Sequence, residues 1–161
     1  MGPRRHEDAK KNRLLFVASC LPGWLAIAAA AAPLAAQSPG KPVTYKGLEM
    51  AVAGVERAPT ASLKDCPPGG NTVNATTRPG EEFVVVKVTF KVLSGFQPST
   101  TLKRPVLTDD SGKIYNTAVS FVDVGSTPDF SCAIPFRVPT GTTLKSVQID
   151  SATLEIPAAK R

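Results

Sequence analysis

Few side chains in this sequence can do chemistry, and they are widely spaced. The 161 residues include one histidine, His6, and three cysteines, Cys20, Cys66 and Cys132. Carboxylates fall in pairs at Asp109 and Asp110, Asp123 and Asp129, and Asp150 and Glu155. A carboxylate-based hydrolase acting on envelope polysaccharide needs such a pair, one as general acid and one as base or nucleophile, at a separation that only the fold sets. Calcium asks for oxygen ligands spread over a loop, and Asp109 to Gly112 is too short to wrap an ion. The turn preference of aspartate gives Asp109 and Asp110 a simpler role. Lys87, Lys91, Lys103, Arg104 and Arg137 would form one basic face for acidic glycans or lipid headgroups if their strands are neighbours; otherwise they are ordinary solvated surface. Lys87 and Lys91 would also discourage edge pairing. Thr142, three residues before Lys145, echoes a Ser-x-x-Lys dyad, but that dyad needs a helix start and this stretch enters a strand. Asn74-Ala75-Thr76 is a glycosylation sequon on a loop.

The location of the histidine excludes a wide range of enzyme chemistry. Arg4, Arg5, Lys10, Lys11 and Arg13 are followed by 23 residues, Leu14 to Ala36, without a charge. This is the pattern of an export signal. Cleavage after Ala36 starts the mature chain at Gln37. Two other fates share the stretch. Uncut, it is long enough to span a bilayer, for which about 20 residues suffice, although Pro22, Gly23 and Pro33 interrupt it. Val17-Ala18-Ser19-Cys20 also resembles a lipobox, whose Cys20 would be lipidated. All three fates put the remainder outside the cytoplasm, because the basic flank stays inside.

Loss of residues 1–36 removes His6 and the only tryptophan, Trp24. Without an imidazole there is no Ser-His-Asp triad, no Cys-His pair and no His-based zinc or copper site. Met50 alone cannot make a methionine-rich copper carrier. No cofactor and no catalytic or metal-binding residue is therefore expected. The leader holds five basic and two acidic residues, leaving 14 basic against 11 acidic, a net of +3 rather than +6. That modest balance takes nucleic acid off the list of partners. In an oxidising compartment the two remaining cysteines, Cys66 and Cys132, read as one disulfide.

The elements that must position these residues are strands. With 15 Pro and 12 Gly and no helical period, the chain reads as strands and turns. Leu48 to Glu56 is a strand whose phase slips at Gly54, the mark of a bulge. Residues 57–80 show no apolar period and form one long loop, tied at its middle by Cys66. Glu82 to Leu93 gives the clearest signal: Val84, Val86, Val88, Phe90 and Val92 share one face, with Val85, Lys87, Thr89 and Lys91 opposite. Leu102 to Thr108 and Lys113 to Asn116 are short strands around a polar turn. Pro105 puts the first of them at an edge or turns its nitrogen outward. Val119 to Val124 is another strand. Cys132, Ile134, Phe136 and Val138 alternate inward, with Ala133, Pro135 and Arg137 outward. Runs from Leu144 to Ile149 and from Ala152 to Ile156 complete about seven to eight strands, the content of an all-β antiparallel sandwich. The domain plan is a signal peptide at 1–36, a flexible mature N-terminus at 37–46, the sandwich at 47–157 and a tail at 158–161.

Three stretches carry a resemblance. They are Gly80-Glu81-Glu82-Phe83 through Phe90, Leu107-Thr108-Asp109-Asp110-Ser111-Gly112-Lys113-Ile114-Tyr115, and Ile134-Pro135-Phe136-Arg137-Val138-Pro139-Thr140-Gly141 through Val147. Together they resemble the exported immunoglobulin-like domains of unknown function related to the mycobacterial immunoprotective extracellular antigen, over roughly residues 43–157. The resemblance implies an immunoglobulin-like sandwich, secreted or held at the envelope, with no shared catalytic residues. The expected role is a non-enzymatic binding protein whose partner is a protein or glycan at the cell envelope, engaged through the 57–80 loop or a sheet edge. It would touch a membrane only through an uncleaved leader or a lipidated Cys20. A purely structural, membrane-anchored envelope component is the other non-catalytic expectation.

Overall fold

The alternation in Glu81–Val92 builds the middle of a sheet. In the computed structural model, which describes residues 39–68, 72–121 and 129–158, this segment is the fifth of ten named strands. They are β1 Val43–Tyr45, β2 Leu48–Ala58, β3 Thr60–Lys64, β4 Thr72–Thr76, β5 Glu81–Val92, β6 Val106–Asp109, β7 Ile114–Asn116, β8 Asp129–Pro139, β9 Leu144–Ile149 and β10 Ala152–Glu155. The described residues contain no helix. The leader, its cleavage point, Cys20, Asp123 and residues 159–161 lie outside the described residues.

Two four-stranded sheets, ordered β1-β2-β5-β8 and β10-β9-β6-β7, are antiparallel throughout and enclose one core. The fold is an all-β sandwich. Val84, Val86 and Val88 are fully buried, as are Ile134 and Phe136 on β8 and Leu48 and Met50 on β2. Each such side chain contributes about 1.5–3 kcal/mol by leaving water. Phe90 stacks on its cross-strand partner Phe130, with ring centroids 4.6 Å apart, and meets Phe121 edge-on. The bulge expected at Gly54 is present: the register with β5 shifts between Val52 and Gly54.

β1 and β2 join through Lys46 and Gly47, both with positive φ, the two-residue geometry that suits the twist of a hairpin. Gly47 is demanded twice, because a Cβ there would also lie 2.7 Å from the Phe96 backbone.

Four expectations need correction. Residues 57–80 are not one loop: β2 runs on to Ala58, and β3 pairs with β4 as a separate two-stranded sheet. Strands of Thr, Ser, Lys and Asn lack the apolar contrast that betrays a half-buried strand. Val119 to Phe121 belongs to no named strand; Phe121 makes one isolated parallel bridge with Cys66, and residues 122–128 lie outside the described set. The 37–46 segment, read as flexible, contains β1. β5 is no edge strand, since β2 and β8 flank it, so Lys87 and Lys91 guard no edge there. Pro135 faces away from the core as expected yet is buried on that outer face, and Pro105 lies just before β6, whose place between β9 and β7 leaves the outward-nitrogen alternative rather than the edge.

Candidate functional site

The outer face of the first sheet carries a cleft built from several strands. β3 packs against β5 and β8 on the side away from the core. Phe83 and Pro135, whose alternation points them outward, are buried on this face. The chain then leaves Lys64 and rounds β8, the last named strand of its sheet, where the Cys66 amide donates to the Ser120 carbonyl at 3.0 Å. Cys66 reaches the inward-facing Cys132, with Cα atoms 5.7 Å apart, and the two form the disulfide that the cysteine count suggests. The other end of the hairpin is held by Arg137, whose Nη2 donates to the Thr76 carbonyl at 3.1 Å while its guanidinium lies over the Phe83 ring. Thr77 closes the base, its amide and its hydroxyl both donating to the Pro59 carbonyl.

Between this tethered hairpin and the sheet is a cleft of about 550 Å³. Its floor is made of small side chains from three strands, Ala53, Thr89, Ser131 and Ala133, and its wall is Ser62, Lys64, Asp65 and Pro68. Lys87 stands inside it, with Nζ 2.5 Å from Glu56 Oε1. The hydroxyls, the ammonium of Lys64 and the carboxylate of Asp65 stand among Ala53, Pro68, Val88 and Ala133, so the lining is more apolar than polar. The wall residues escaped the sequence reading, although alternation of Ala61 with Leu63 ahead of Cys66 was a weak strand signal.

The five basic residues do not form one face. Lys87, Lys91 and Arg137 share the outer face, where each meets an acid: Lys87 pairs with Glu56, Lys91 lies opposite Glu49 and Asp129 in register, and Arg137 Nε is 3.8 Å from Glu81. Lys103 and Arg104 precede β6 in the second sheet, Arg104 donating to the Ser120 hydroxyl at 3.1 Å and Lys103 lying near Asp150.

The carboxylates are mostly engaged in holding turns. Asp109 is buried and accepts from the Ser111 hydroxyl at 2.6 Å, the Lys113 amide at 2.9 Å and the Tyr115 hydroxyl at 2.9 Å. The Ser111 bond above all, with those from Lys113 and Tyr115, outweighs desolvation and brings its carboxyl down to about 2. Asp150, at positive φ in the β9–β10 turn, accepts from Lys46 Nζ at 2.8 Å and the Tyr45 hydroxyl at 3.1 Å. The Lys46 bond holds the Asp150 carboxyl below its ordinary value, and Asp150 in turn raises the Lys46 ammonium. Asp129 accepts from the Val92 amide at 3.0 Å. Asp110 and Glu155 are exposed, and Glu155 ends the strand that Asp150 precedes. Thr142 donates its hydroxyl to the Pro139 carbonyl, in a turn rather than at a helix start. Asn74 lies on β4 instead of a loop and accepts from the Ser62 hydroxyl. Among the described residues no three His, Cys, Asp or Glu side chains are grouped to hold a metal ion.

No family model matches the chain, and no curated protein does, so the link to the mycobacterial antigen family finds no support. Among solved structures the chain is similar to an uncharacterized β-sandwich protein from Clostridium difficile 630, with 9% identity, a TM-score of 0.42 and coverage of 71% of this chain and 87% of that one.

Proposed function

We propose that this chain is an exported, immunoglobulin-like β-sandwich that binds a protein or glycan partner at the cell envelope and performs no catalysis. The observation that carries this reading is the hairpin β3–β4, tethered by a disulfide over a cleft whose largely apolar lining is dotted with the polar groups of Ser62, Lys64, Asp65, Lys87, Thr89 and Ser131. Recognition surfaces of this kind sit on segments carried by a rigid scaffold. The absence of histidine beyond the leader and the engagement of Asp109, Asp129 and Asp150 in holding the backbone together favour binding over turnover. The leader, cleaved after Ala36 or retained as an anchor, would deliver the domain to the periplasm or beyond.

The test is to fill the cleft. Ser131 is an exposed floor residue, so Ser131→Trp should leave the melting temperature within a few degrees while blocking the site. Exported protein is assayed against an envelope-glycan panel and purified envelope proteins by surface plasmon resonance. The expected result is a ligand whose affinity falls at least tenfold in Ser131→Trp. Equal affinity in both proteins would move the site elsewhere, and hydrolysis of any glycan in the panel would replace binding by catalysis.

A further inference from the structure

The wall of the cleft is the border of a strand. In the hairpin β3–β4 the Thr77 amide donates to the Pro59 carbonyl at 3.0 Å, which fixes the phase of the antiparallel ladder. Hydrogen-bonded pairs alternate along such a ladder. Ala61 therefore bonds Ala75 and Leu63 bonds Val73, while Ser62 and Lys64 turn their amides and carbonyls away from β4. Ser62 and Lys64 are also the two β3 residues that line the cleft. Among the described residues β4 is the only strand paired with β3, so these two amides and two carbonyls have no ladder partner there. The far border of the hairpin points the other way. By the same phase the Thr76 carbonyl is turned away from β3, and it accepts from Arg137, which pairs in register with Phe83. On the β3 side the cleft covers Lys87, Thr89, Ser131 and Ala133, further along the same two strands of the sheet.

We propose that the cleft takes an extended peptide segment of a partner protein, which joins the hairpin as a third strand beside β3. The inference rests on the reading that this cleft is the binding site, and it narrows a protein or glycan partner to a protein. An added strand runs about 4.8 Å from its neighbour and offers an amide and a carbonyl at every second residue, about 7 Å apart, the spacing at which Ser62 and Lys64 present theirs. A glycan presents hydroxyls without that repeat. The small side chains of Ala53, Thr89, Ser131 and Ala133 leave room for a backbone to pass across the sheet. Every second side chain of the segment would face this floor, and Ala53, Pro68 and Ala133 favour apolar ones there. Proline would be refused at the residues opposite Ser62 and Lys64, because it has no amide to give.

The probe is a phage-displayed library of linear peptides about ten residues long, selected on the exported, disulfide-bonded protein, with the selected peptides then synthesised. Residue-resolved hydrogen exchange by NMR should show the Ser62 and Lys64 amides slowed at least tenfold by bound peptide, while those of Ala61 and Leu63, already bonded to β4, hold their rates. N-methylation of the peptide should weaken binding at least tenfold at alternate positions and little between them. Ser62→Pro removes one outward amide and leaves the ladder bonds of Ala61 and Leu63 in place, so it should cost the same factor with the protection of those two amides retained. The inference is overturned if no peptide is selected, if methylation is tolerated at every position, or if exchange at Ser62 and Lys64 does not respond. Should a panel glycan bind and be excluded by Ser131→Trp while no peptide does, the cleft stays the binding site and the added strand alone is retired. Should Ser131→Trp exclude neither peptide nor glycan, the site itself lies elsewhere and both readings go.

Discussion

The two faces of the first sheet are closed by different means. On the inner face, β2, β5 and β8 present an unbroken set of apolar side chains to the second sheet. On the outer face the same strands present Thr89, Lys91, Ser131 and Ala133, and β3 packs against β5 and β8 there while Arg137 lies over Phe83. Burial secures the first interface. The second depends on one covalent tether, the Arg137 contacts and the Thr77 bonds to Pro59. A surface held by a tether can vary its side chains without disturbing the core, which is the arrangement expected of a recognition surface on a fixed scaffold.

Three measurements would break or sharpen that contrast. The largest effect is expected on the inner face, where Phe136 is fully buried. Phe136→Ala should lower the unfolding free energy by about 3–5 kcal/mol through lost burial and the cavity left behind. A loss below about 1 kcal/mol in urea denaturation would mean the inner face is not the main source of stability. Next is the tether, which spans a sequence separation of 66 residues. Replacing Cys66 and Cys132 with alanine should cost about 2–4 kcal/mol. The hairpin should feel it first, with β3 and β4 amides losing exchange protection before those of β2 and β5. Uniform loss would show the hairpin and the core to be one cooperative unit.

The smallest effect concerns Asp109, at the turn between β6 and β7, where it holds the hydroxyl of the core residue Tyr115. Its folded carboxyl titrates near 2, below the ordinary aspartate value of 3.8. The stabilisation is present above the unfolded value and is lost as the pH falls through the folded one. Stability should therefore drop between about pH 4 and pH 2, and Asp109→Asn should be less stable at neutral pH and flatter across that window. An Asp109 carboxyl resonance titrating near 3.8 would remove this contribution.

How much of this was legible in the sequence follows from how each strand is buried. β5 and β8 showed plainly because one face of each meets the core, so Val84, Val86, Val88 and Phe90, and Cys132, Ile134 and Phe136, recur at every second position, with Lys87, Thr89, Ser131 and Arg137 among the residues between or beside them. The bulge at Gly54 showed as a slip of phase. β3 and β4 did not show, because they lie on the surface of another sheet and most of their residues stay exposed. The disulfide followed from counting cysteines, but the cleft did not, since its floor is assembled from three strands that are distant in sequence. The basic residues illustrate the same limit. Spacing along a strand placed Lys87 and Lys91 on one face, but only the pairing of strands sets an acid against each of them.

The pairing of Tyr45 and Lys46 with Asp150 joins the first hairpin of the sandwich to the last. β1 itself is held to β2 by only three residues of ladder, so these two side-chain bonds are a large share of what keeps it in place. The same two bonds fasten β1 to the turn between β9 and β10, while the crosslink at Cys66 and Cys132 fastens the other border of that sheet to the chain that follows β3.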